Sequence, residues 1–79
     1  MKYEDLKTGD IFGIEGTTTY PKLKLKEGYV DMRDKILNST GNTVKGREVE
    51  ILSFEKIAST FDMLVEDIKE WTNKIKEEY

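Results

Sequence analysis

FEKIASTFDMLVEDIKEWTNKIKEEY, residues 54–79, is the stretch whose reading decides the fold. Apolar side chains recur at Phe54, Ile57, Phe61, Leu64, Ile68, Trp71 and Ile75, alternating by three and four with no Gly or Pro between them. That spacing predicts a helix. With Phe54 as heptad position a, the a and d sites stay apolar to Ile75, and Ala58, Val65 and Thr72 widen the stripe at e. Such a stripe is broader than a coiled-coil seam and suits a helix lying across a sheet. Ser53 stands where an N-cap would, Leu52 and Ile57 are spaced as a hydrophobic staple, and Glu55 lies near the positive end of the dipole.

Within this stretch, residues 57–71 resemble the helix-turn-helix of DNA-binding proteins, with Ala58 at the small-residue site and Ile68 and Trp71 at later apolar sites. The helix pair of the peptidoglycan-binding LysM module is spaced similarly, but that module needs a strand after its helices. In both, Asp62 replaces the usual Gly of the turn, and Leu64 replaces the Ser or Thr that caps the second helix. A continuous helix buries Leu64 and leaves Met63 at the rim, whereas a broken one buries Met63. The expectation from these residues is one long helix. For DNA binding, the second helix would turn Glu66, Asp67 and Glu70 towards phosphates, against Lys69 and Lys74.

Upstream, the pattern switches to a period of two. Thr8-Gly9-Asp10 is a turn signal before Ile11-Phe12-Gly13-Ile14, a strand with Phe12 and Ile14 on one face and Ile11 and Gly13 on the other. Thr17 to Tyr20 is a β-favouring run stopped by Pro21, which places it at a sheet edge or between strands. Lys22-Leu23-Lys24-Leu25-Lys26 then alternates without exception. Glu27-Gly28 reads as a two-residue turn into Tyr29-Val30-Asp31-Met32-Arg33, pairing Lys26 with Tyr29 and Leu23 with Met32. Leu23, Leu25, Val30 and Met32 form the apolar face of this hairpin; its other face is basic. Asn38 to Gly46 reads as a mobile loop or a wide connection, and Arg47 to Leu52 as a last strand with Val49 and Ile51 opposed to Glu48 and Glu50.

Composition narrows the function classes. Seventy-nine residues make one domain, 1–79, with a β part at 1–52 and the helix at 53–79. Hydrophobic and charged residues each make up 37%, enough for a small core under a charged surface. The chain has no Cys and no His, which removes disulfides, thiol nucleophiles, imidazole metal sites and the Ser-His-Asp triad. An enzyme, a cofactor and a metal site are therefore not expected. Paired carboxylates at Asp31 and Asp34, or at Glu48 and Glu50, lack the ligand-loop spacing of a hard-cation site. No apolar run follows Met1, so the expectation is a cytoplasmic protein without a membrane span. Residues 1–47 hold nine Lys or Arg against seven Asp or Glu, and residues 48–79 hold four against nine.

Two surfaces stand out as functional candidates. Tyr20, Lys22, Lys24, Lys26, Tyr29 and Arg33 set cations and aromatic rings on one hairpin face, the arrangement that holds single-stranded nucleic acid by phosphate contacts and base stacking. The opposing reading is a solvated edge strand whose lysines resist aggregation. Met63, Trp71, Ile75 and Tyr79 are the candidates for a protein partner or a homodimer, because one helix over 54–79 is longer than the strands of a small sheet and overhangs it.

Leu6-Lys7-Thr8-Gly9-Asp10-Ile11-Phe12, with the Lys-Leu hairpin and Tyr29 to Asp34, resembles the opening of SH3-like small barrels in short proteins of bacteriophages and prophages. The resemblance implies an accessory binding role and transfers no catalytic residue. The expected fold is α+β: a small antiparallel sheet or SH3-like partial barrel of four or five strands, packed by one long C-terminal helix. The expected function is a non-enzymatic protein-binding module, with single-stranded nucleic-acid binding by the hairpin as the alternative and helix-turn-helix DNA binding third.

Overall fold

A computed structural model of the chain describes residues 1–16 and 20–79. The Thr17-Thr18-Thr19 part of the β-favouring run lies outside the described residues. Five strands, β1 (Ile11–Ile14), β2 (Lys22–Lys24), β3 (Tyr29–Asp31), β4 (Leu37–Asn38) and β5 (Val49–Ile51), form one sheet in the order β4-β3-β2-β1-β5. Every ladder is antiparallel. The sheet is open, with β4 and β5 at its edges, so the α+β class holds and no barrel closes.

The two faces of β1 separate as its sequence predicts. Ile11 joins Leu23, Val30, Met32, Ile57, Ile68 and Ile75 in a core beneath the helices. Phe12 and Ile14 point the other way, towards Tyr3, Leu6, Tyr29, Val44 and Val49. The sheet is therefore covered on both sides. The second cover comes from a short 3-10 turn at Tyr3–Asp5 and from the connection after β4, which is not simply a loop. Val44, its one large apolar residue, is 1% exposed. The connection is fastened by Tyr29, whose hydroxyl lies 2.7 Å from Thr43 Oγ1, and by Asn38, whose Oδ1 accepts from the Gly41 N–H at 2.9 Å.

The hairpin register differs from the expected one by two residues. Lys24 pairs with Tyr29, Leu23 with Val30 and Lys22 with Asp31, so the connection is the four residues Leu25–Gly28, and the Leu25 N–H donates to the Gly28 carbonyl at 3.0 Å. An even slip preserves every face, because side chains repeat every second residue. Alternation alone could not have distinguished the two registers.

The largest correction concerns the C-terminal stretch, which forms two helices, α1 (Phe54–Phe61) and α2 (Val65–Glu78). Ser53 caps α1 as expected, its hydroxyl accepting from the Lys56 N–H at 3.1 Å. Asp62 then adopts the left-handed conformation, φ 52° and ψ 50°, and the Met63 N–H donates back to the Ala58 carbonyl at 3.0 Å. This is the six-to-one bond of a Schellman stop. Short polar residues such as Asp tolerate that conformation better than most, so a Gly was not required. Met63 packs on the core and Leu64, at the N-cap of α2, is 69% exposed, the outcome that separates a broken helix from a continuous one.

Asp62→Gly is accordingly expected to stabilise the fold by about 0.5–1 kcal/mol, since Gly adopts positive φ without a Cβ penalty. In a continuous helix the same change would cost about as much. The sign of the shift in urea midpoint decides.

The β5 edge is closed by the N-terminal segment. The Val49 N–H donates to the Met1 carbonyl at 2.7 Å, and Lys2 bridges to Glu48. The Lys2 ammonium lies 2.8 Å from Glu48 Oε1 and the Met1 amine 3.3 Å from Oε2. The hydrogen bond from Lys2, followed by that from the Met1 amine, holds the Glu48 carboxyl below the usual carboxylate range, and the same bond raises Lys2 above its ordinary value. A depressed carboxylate favours the folded state at neutral pH, and that contribution disappears as pH falls through its lowered titration.

Candidate functional site

The residues proposed for nucleic-acid binding do not share a surface. Lys22 is 7% exposed, with its ammonium 3.6 Å from Asp31 Oδ2. Tyr29 is buried in the second core, edge-on to Phe12 and Tyr3 at centroid distances of 5.8 and 6.1 Å. The Lys24 ammonium donates to the Leu25 carbonyl and sits over the Tyr3 ring, 5.5 Å from its centroid. Burial pushes the Tyr3 phenol above its ordinary pKa, in keeping with its place beneath that layer. Tyr20 lies on the opposite, helical side, stacked on Phe61 at 5.0 Å with the Arg33 guanidinium 5.1 Å from its ring. Only Tyr20, Lys26 and Arg33 of the six are exposed. The hairpin face read as basic and solvated is the floor of a second core.

The protein-interaction candidates also separate. Ile75 is 0% exposed, and Trp71 and Met63 pack partly buried against the same core, so these three serve the domain's own interior. The overhang expected of one long helix is absent, because the turn at Asp62 folds α2 back onto α1 and the sheet. Tyr79, half exposed, sits just past the end of α2. Its hydroxyl donates to the Lys35 carbonyl at 2.7 Å, and the neighbouring Glu78 lies 3.5 Å from the Lys35 ammonium. The end of α2 is therefore tied to the turn between β3 and β4.

That tie creates the depression that stands out chemically. Tyr79 and Leu25 form a shared wall between two adjoining hollows of about 320 and 260 Å³. The first is floored by Leu23 and fringed by Lys24 and Lys76; the second is bounded by Leu37, Lys26, Glu27 and Ser39. Each contributor has a local reason to be there. Leu25 leaves β2 at the start of the four-residue connection, and Leu37 opposes Val30 at the sheet edge, which turns its side chain to the helical face. Lys26 and Lys76 form no ion pair among the described residues. The result is an open apolar groove whose rim carries the unpaired cations Lys26 and Lys76 and one carboxylate, Glu27, in a chain of net charge −3.

Of the four carboxylates weighed as cation ligands, three are occupied by cations of the chain, and Asp34 accepts from the Ile36 N–H at 3.1 Å. Asp31 faces Lys22, Glu50 lies 3.1 Å from Lys56, and Glu48 holds Lys2 and the Met1 amine. Among the described residues, no three acidic side chains converge. No described helix is long and apolar enough to cross a membrane. The helix pair does have a turn like that of a helix-turn-helix, yet the exposed side chains of α2 include Glu66, Asp67, Glu70, Glu77 and Glu78 against Lys69, Lys74 and Lys76, a face that repels phosphate.

Sequence reasoning had named Lys24, Lys26 and Tyr79 and missed Leu25, Leu37 and Lys76 as partners to them. The missing signal was tertiary: the groove joins a hairpin connection, an edge strand and a helix end that are far apart in the chain. No protein-family model, curated protein or solved structure gives a significant match to this chain.

Proposed function

We propose that this chain is a non-enzymatic protein-binding module that holds a short segment of a partner protein in the groove between Leu25, Leu37 and Tyr79. The observation that carries the reading is the pairing of that exposed apolar surface with the unpaired cations Lys26 and Lys76. Apolar area supplies affinity and the cations select the charge of the occupant. The occupant is thus an apolar residue or two flanked by carboxylates. Such a short segment covers less than a standard interface, so binding is weak and exchangeable, with a Kd of about 10–100 µM. This keeps the accessory role implied by the resemblance to short phage proteins.

Single-stranded nucleic acid is the competing occupant. It lacks support from the geometry because Tyr20 and Tyr29 lie on opposite faces of the sheet and Lys22 is paired. Fluorescence anisotropy with the labelled peptide Glu-Asp-Val-Thr-Ile-Asp-Glu, and with a 12-nucleotide single strand, separates the two. The peptide is expected to bind. Combined Lys26→Glu and Lys76→Glu substitutions should weaken it about tenfold, because each rim charge contributes on the order of 0.5–1 kcal/mol. Binding of the oligonucleotide with a steep salt dependence, and none of the peptide, would overturn the proposal.

A further inference from the structure

We propose that the partner segment docks as a sixth strand, antiparallel to β4, with alternate side chains in the groove. This rests on the protein-binding reading above and specifies how the segment is held. The two sheet edges differ. On β5, the outward backbone groups of Val49 are taken by Met1, and only Ile51 remains before the chain turns into α1. On β4 the edge is open.

The ladder bonds show which groups face out. The Asp31 N–H donates to the Ile36 carbonyl at 3.2 Å, and Tyr29 pairs with Asn38, so residues 36 and 38 turn their backbone groups inward. Leu37 turns its groups outward by the alternation of an antiparallel ladder, and Ser39, in the bend that follows β4, continues that alternation once a guest strand pairs with it. No described residue bonds to them. Edge strands are ordinarily protected by Lys, Pro or a bulge, whereas β4 and its neighbours read Ile36-Leu37-Asn38-Ser39. Ile36 is 64% exposed and Leu37 43%. Leu37 thus combines an unpaired backbone with a side chain in the groove wall, the two features that strand addition uses together for affinity and specificity.

Pairing opposite Leu37 fixes the register of the guest. A residue with its N–H and C=O towards β4 has its side chain on the groove side, and its neighbours in sequence point both away. In Glu-Asp-Val-Thr-Ile-Asp-Glu, Val and Ile therefore fill the groove and bond to the edge. Thr faces out, and a terminal carboxylate reaches Lys26, which lines the same hollow as Leu37.

The test is a set of N-methylated peptides titrated against the intact protein. Methylation at Val or at Ile should weaken binding at least tenfold, and methylation at Thr should leave it within about threefold. The Leu37 and Ser39 amides should gain protection from hydrogen exchange in the complex with the unmethylated peptide. If that peptide binds but all methylated forms bind alike, or only the Thr form weakens, strand addition as stated is overturned while the groove reading stands. If the unmethylated peptide does not bind, both fall. A second copy of the chain on the same edge, seen as dimerisation that the peptide does not reverse, also overturns it.

Discussion

Gly28→Ala is expected to cost about 3 kcal/mol, a loss large enough to remove much of the stability of a chain this size, where about 4–12 kcal/mol is usual. Gly28 has φ +81°, and a Cβ built there would lie 1.9 Å from the Asn38 carbonyl oxygen and 2.7 Å from the Ser39 Cα. Those are backbone atoms and cannot rotate aside. Accommodating alanine would force β4 away from β3 and break the Tyr29–Asn38 pair, in addition to the penalty of about 1 kcal/mol for a left-handed residue with a Cβ. Gly46 separates the two contributions, since it has φ +77° and nothing within 4 Å of its added Cβ. Gly46→Ala should therefore lose only the conformational part. Equal urea midpoints for the two variants would mean that β4 does not lie against Gly28. Because β4 supplies Leu37 to the groove, Gly28→Ala should also abolish peptide binding under conditions where Gly46→Ala retains it.

Phe12→Ala is expected to cost about 3–5 kcal/mol, the range for a buried aromatic truncated in a core that cannot fully collapse. Phe12 is 0% exposed and meets Tyr3 and Tyr29 edge-on at 5.7 and 5.8 Å, contacts that add to the simple loss of buried area. The comparison is Ile36→Ala, at a residue 64% exposed, which should stay within about 0.5 kcal/mol. If the sheet were covered only by the helices, Phe12 would face solvent and the two variants would behave alike in urea denaturation. A large gap between them establishes the second layer.

Much of this architecture was legible in the chain, and the failures have physical causes. Ile11 to Ile14 could be assigned to faces because a four-residue strand buried on both sides still obeys a period of two. The start of α1 was readable because Ser53, Leu52 and Ile57 act within a few residues of one another. The break at Asp62 showed only as a resemblance to a helix-turn-helix: the apolar stripe resumes in phase at Ile68, and a left-handed Asp carries no mark in the sequence that a Gly would. The second layer was hidden for a different reason. Tyr3, Leu6 and Val44 are isolated apolar residues on irregular segments, and no periodicity exists to flag them. Reading Lys22 and Tyr29 as solvent-facing followed directly from missing that layer. Of the groove, Lys24, Lys26 and Tyr79 drew notice by their chemistry. Their association depends on the two-residue shift in hairpin register and on the fold-back of α2.

The most direct measurement of the central claim is a chemical-shift titration of the isotopically labelled protein with Glu-Asp-Val-Thr-Ile-Asp-Glu. The groove reading predicts saturating shifts concentrated at Leu25, Lys26, Leu37, Ser39 and Tyr79, with the amides of Glu66, Glu70 and Asn73 on the outer face of α2 unmoved. Shifts confined to α2 or to Tyr20 and Arg33, or no saturating shifts at all at millimolar peptide, would contradict it.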